Sequence, residues 1–98
     1  MLEKTPTIQN LSELRQFVYQ TLCEQNDLQI GAFDITERYL VRSGAPCGIH
    51  FCLHGPRSVQ LTAIWATAEN TVRFYGSTGE RLLKTRLQSE VSLETAAA

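Results

Sequence analysis

Cys47–Tyr75 reads CGIHFCLHGPRSVQLTAIWATAENTVRFY, and apolar residues alternate with polar ones through three runs broken by Gly55-Pro56-Arg57 and by Glu69-Asn70. A period of two sends successive side chains to opposite faces of a strand, and turn-forming residues between such runs fold the chain back antiparallel. The three runs are therefore consecutive strands of a β-meander. Ile49, Phe51 and Leu53 share one face of the first, with His50, Cys52 and His54 on the other. Val59, Leu61, Ala63 and Trp65 share the inner face of the second, and Val72 and Phe74 that of the third. A two-residue turn at Glu69-Asn70 sets Trp65 against Phe74, and a three-residue loop at Gly55-Pro56-Arg57 sets Leu53 against Val59 and Phe51 against Leu61. A slip of one residue would turn every side chain to the wrong face, so the agreement of the inner faces supports the pattern.

Upstream, Phe33, Ile35, Tyr39 and Val41 fall on the inner face of a further strand, and Asp34, Thr36, Arg38, Leu40 and Arg42 on the outer. A five-residue loop, Ser43–Cys47, sets Val41 against Ile49 and Tyr39 against Phe51. Downstream, Gly76-Ser77-Thr78-Gly79 turns the chain into a fifth strand, Arg81–Leu87, with Leu83 and Leu87 inward. Before the sheet comes a helix. Asn10 is a good N-cap, Glu13 completes a capping box, and Leu11, Leu14, Phe17, Val18, Thr21 and Leu22 recur at helical spacing as far as Gln25. About four turns are not stable alone, so this stripe must pack on the sheet. The expected fold is α+β: one N-terminal helix on one face of a four- to five-stranded antiparallel meander, in two layers.

The 98 residues suit a single domain spanning 1–98, with an ordered core of about 10–88 and flexible tails at 1–9 and 89–98. A hydrophobic fraction of 43% and a charged fraction of 19% are those of a globular protein, and no apolar run is long enough for a membrane span. The start MLEKTPTIQNLSEL has neither the basic opening nor the apolar centre of a secretory signal, so a cytoplasmic location is expected. Cys23, Cys47 and Cys52, without CxxC spacing, read as free thiols there.

Net charge is −1, but residues 1–37 hold two bases against six acids, whereas residues 38–86 hold seven bases against Glu69 and Glu80. The register above puts Arg38 beside Cys52, Leu40 beside His50 and Thr62, and Ile64 beside Tyr75 on the face away from the helix. Leu40, His50, Thr62, Ile64 and Tyr75 then form a contact surface edged by Arg38, Arg42 and Arg73, which with Arg81 after the Gly76–Gly79 turn are the candidate anion-binding groups.

Four sharper chemistries are weaker. His50, Cys52 and His54 carry zinc-type donors, but His50 and His54 lie about 13 Å apart along a strand, and no carboxylate or thiolate joins them, so no metal or other cofactor is expected. Cys52 beside Arg38 would be a stabilised thiolate, hence a thiol enzyme or redox sensor, yet no oxyanion hole or orienting group accompanies it. Gly76–Gly79 followed by Arg81 offers amides and hydroxyls to a phosphate without the GxxxxGK[ST] pattern. A nucleic-acid platform has only Tyr75 as an exposed stacking residue. The sequence therefore points to a non-catalytic module acting through its outer sheet face, by self-association as a homodimer or by binding a protein partner. Anion or nucleic-acid binding is the alternative, and no membrane is involved.

Overall fold

The computed structural model describes residues 8–88 and residue 91. Helix α1 (Leu11–Gln25) precedes strands β1 (Asp34–Arg42), β2 (Ala45–His54), β3 (Gln60–Ala66), β4 (Thr71–Tyr75) and β5 (Arg81–Arg86). The strands form one antiparallel sheet in the order β1-β2-β3-β4-β5, so the α+β meander is as expected. Asn10 caps α1 by accepting from the Glu13 amide at 2.9 Å. The Glu13 carboxylate reaches one residue further back than a capping box requires, to the Gln9 amide. At the other end the Asn26 side chain donates to the Leu22 carbonyl at 2.8 Å.

Leu11, Leu14, Val18 and Leu22 of α1 pack against Ile49, Phe51, Leu53, Leu61, Trp65 and Phe74 in a single buried cluster. Phe17 stands edge-on to Phe74 with ring centroids 5.9 Å apart. Ile8 and Val91 also join this core, beyond the 10–88 limits expected; residues 1–7, 89–90 and 92–98 of the two tails lie outside the described residues.

The faces of the strands are those the alternation implies, but the first three hairpins each pair two residues away from the expected register. Strands β1 and β2 zip closed to a two-residue turn, Ser43-Gly44, whose φ values of 53° and 78° are the left-handed pair such a turn needs. Tyr39 therefore faces Ile49 and Arg38 faces His50. In β2, Cys47 is the extra residue of a bulge, because Leu40 pairs with Gly48 and Val41 with Pro46. The β2–β3 loop is longer than three residues, since a 3₁₀ turn at Pro56–Ser58 follows Gly55, and it pairs Leu53 with Leu61 and Ile49 with Trp65. The β3–β4 loop runs over Thr67–Asn70, setting Trp65 against Val72 and Ala63 against Phe74. Trp65 and Phe74 are thus diagonal neighbours, and the aromatic partner of Phe74 is Phe17.

Tyr39 and Val41 correct another expectation: they lie on the helix side of β1 yet are 43% and 63% exposed. A helix about 10 Å across cannot roof a five-stranded sheet about 19 Å wide, and α1 sits over β2 and β3. At the β1 margin polar contacts replace the core. Arg15 of α1 donates to Glu37 at 2.7 Å, while Tyr19 donates to the Phe33 carbonyl and accepts from the Gly31 amide.

Candidate functional site

No described element covers the outer face of the sheet, and its side chains fall into three cross-strand rows. The first is Leu40, Gly48, Ala66, Thr71 and Arg86; the second Arg38, His50, Ile64, Arg73 and Lys84; the third Thr36, Cys52, Thr62, Tyr75 and Arg81. Of the contact residues read from the sequence, His50 and Ile64 are direct partners, as are Thr62 and Tyr75, and all five are half-buried. The expected juxtapositions are absent, including that of His50 with Thr62, since His50 lies opposite Ile64. Ile64 lies opposite Arg73 instead of Tyr75, and Leu40 lies opposite Gly48 instead of His50. These changes follow from the two-residue shifts, which preserve the face but exchange the neighbours.

The apolar cluster is accordingly dispersed, and the middle row becomes basic: Arg38 and His50 on one side of Ile64, Arg73 and Lys84 on the other. Arg86 stands beside this row, across from Thr71. Lys84 and Arg86 were not singled out from sequence, although Leu83 and Leu87 facing inward already implies that the residues beside them face outward. Glu69, Thr71, Arg73, Lys84 and Arg86 line a shallow depression of about 300 Å³ at this end of the face. Glu69 accepts from Arg73 at 2.6 Å, and this bond, helped by the charges of Arg73 and Lys84, holds its carboxyl below the usual carboxylate range. Among the described residues Arg38, Lys84 and Arg86 form no ion pair. The other anion candidates stand apart, Arg42 beside the β1–β2 turn and Arg81 at the start of β5.

No protein-family model, curated protein or solved structure matches this chain. Its chemistry is therefore read from its own side chains. The cation expected beside Cys52 is not there: Cys52 pairs with Thr36 and Thr62, and burial pushes its thiol up, away from the reactive thiolate. His54 Nε2 is 3.0 Å from Thr36 Oγ1, and among the described residues no three His, Cys, Asp or Glu side chains come together to hold a metal. Most of the phosphate-type donors of the Gly76–Gly79 loop are already engaged, the Gly76 and Gly79 amides by the Glu80 and Gly76 carbonyls. Thr78 offers both its amide and its hydroxyl to the Glu80 carboxylate, so the loop carries its own anion.

Charge is segregated between the two layers. Glu13, Glu24, Asp27 and Glu37 outnumber Arg15 on the helix side, whereas Arg38, Arg73, Lys84 and Arg86 outnumber Asp34 and Glu69 on and around the outer face. No helix among the described residues is long and apolar enough to cross a membrane.

Proposed function

We propose that the protein is a non-catalytic binding module whose outer sheet face docks an acidic, extended segment of a protein partner. The observation that carries this reading is the row Arg38, His50, Ile64, Arg73 and Lys84, which crosses all five strands with one apolar side chain between cations on β1, β4 and β5. Such a row is about 19 Å long, the span of roughly six residues of extended peptide. Complementary charge steers and orients a partner, and the apolar centre supplies burial. A homodimer stacked through this face is less favoured, because it would press one basic row against another. Nucleic acid is less favoured as well, because Tyr75 alone offers a stacking ring on this face. The three cysteines stand as free thiols, which suits a reducing compartment such as the cytoplasm.

The test is a nuclear magnetic resonance titration with a peptide of alternating Glu and Leu, run beside a single-stranded oligonucleotide of equal charge. Shifts concentrated at His50, Ile64, Arg73 and Lys84, and lost in Arg73→Glu/Lys84→Glu, support the reading. Shifts confined to α1, or none at several hundred micromolar peptide, refute it. Tighter oligonucleotide binding with a steep salt dependence would replace the protein partner with nucleic acid.

A further inference from the structure

We infer that β1 is a docking edge for a second copy of this chain, joined antiparallel about a two-fold axis at Arg38. The inference is independent of the partner proposed for the outer face. Strand β1 is the first strand of the sheet, nine residues long, and its far edge pairs with no described strand. An edge of that length is a template for another strand unless it is covered or its pattern repels a copy.

The pattern of β1 matches its own reverse. Strand β1 itself carries no extra residue, since the bulge at Leu40/Val41 places Cys47 on β2. Pairing Arg38 with its symmetry copy sets Asp34 against Arg42 on the outer face, and Ile35 against Val41 and Glu37 against Tyr39 on the helix face. Each pair occurs twice, as an isologous interface requires. Asp34 and Arg42 thus meet opposite charge, Ile35 and Val41 meet each other, Leu40 faces Thr36, and Glu37, the acid on the helix face, is already neutralised by Arg15. The pairing also accounts for Val41 and Tyr39, exposed apolar side chains beside an open edge, by setting them next to Ile35 and the Glu37 stem of the copy. Only Arg38 meets a like charge, on the axis. With both helices on the same side, the two basic rows run end to end across the joined sheets.

Light scattering and sedimentation from 5 to 200 µM, without any partner, test the interface. The parent is expected to dimerise in this range. Asp34→Arg and Arg42→Asp should each weaken the dimer about tenfold, because each turns two attractive cross-strand pairs into repulsive ones, and the double exchange should restore it. Arg38→Gln should tighten it by removing the like charges on the axis. Val41→Asp should give a folded monomer, since Val41 is 63% exposed and supports no core. A parent that is monomeric at 200 µM overturns the inference. So does a dimer indifferent to Val41→Asp, or a double exchange that fails to recover.

Discussion

The indole nitrogen of Trp65 donates to the side-chain oxygen of Asn70 across 3.2 Å, tying the largest core residue to the loop that closes its own strand. Asn70 also donates to the Leu87 carbonyl and accepts from the Leu87 amide, and it does so at a φ of 49°. One residue thus fastens β3, the β3–β4 loop and the end of β5.

Two substitutions separate its roles. Asn70→Gly keeps the left-handed backbone at no steric cost but leaves the Trp65 indole N–H without this acceptor, for an expected loss of about 1–3 kcal/mol in urea melts. Asn70→Ala should lose about 1 kcal/mol more, from the left-handed conformation that a Cβ resists. Equal melting of the two variants would show that the backbone at Asn70 is not left-handed in solution.

Gly48 should tolerate no side chain. A Cβ built there would lie 2.1 Å from the Trp65 carbonyl oxygen, which is backbone and cannot swing away. Gly48→Ala is expected to cost at least about 1–3 kcal/mol, the range for overpacking, whereas Gly44→Ala meets open space and should cost only about 1 kcal/mol through its φ of 78°. The reverse order in chemical denaturation would contradict the β2–β3 pairing.

Ile64 and Trp65 are adjacent in sequence and opposite in consequence. Trp65→Ala should lose about 3–5 kcal/mol by emptying the core, while Ile64→Lys, on the open face, should lose about 1 kcal/mol or less. Circular dichroism melts of both variants provide the comparison. An Ile64→Lys protein that unfolds would mean that the outer face is covered.

Thiol chemistry should be slow at Cys52 and slower at Cys23. Burial pushes both thiols above their ordinary range. In the folded chain they therefore hold their protons more tightly than when unfolded. Their contribution to stability is intact below the unfolded thiol pKa of about 8.5, and declines as pH rises from there through the folded value. Iodoacetamide at pH 8 should modify Cys52 more slowly than free glutathione, and a faster reaction would restore the reactive-thiol reading.

Glu69 has the opposite dependence. Its carboxyl is held down by the hydrogen bond from Arg73, so its small contribution is present above the unfolded Glu pKa of about 4.3 and is lost as pH falls through the folded value. The stability difference between parent and Glu69→Gln should accordingly shrink between neutral pH and pH 3, and a difference that widened toward acid would mean that Arg73 does not hold the Glu69 carboxyl down.

Alternation specified which face each residue joined, because Ile49, Phe51, Leu53, Leu61, Trp65 and Phe74 are apolar at a period of two and only one side of the sheet could receive α1. It did not specify register, since a shift of two residues leaves every face unchanged. Loop geometry settles that choice. Ser43-Gly44 adopts a tighter turn than its surroundings announce, while Pro56–Ser58 and Thr67–Asn70 take longer loops held by backbone bonds such as Gly55 N to Val59 O and Asn70 N to Thr67 O. The candidate site inherited the error: its members were legible, but its character was not. Arg73 opposite Ile64 makes basic a row that Tyr75 would have made apolar. Exposure of Tyr39 and Val41 was hidden for another reason, because the alternation of a strand carries no record of how much sheet a single helix can roof.

The division of charge between the helix layer and the outer sheet face gives the molecule an electric dipole directed from one layer to the other, although its net charge is only −1. Chromatographic behaviour near neutral pH should then follow orientation instead of isoelectric point. The same preparation would be retarded on both a cation and an anion exchanger in low salt, presenting the sheet to one resin and the helix to the other.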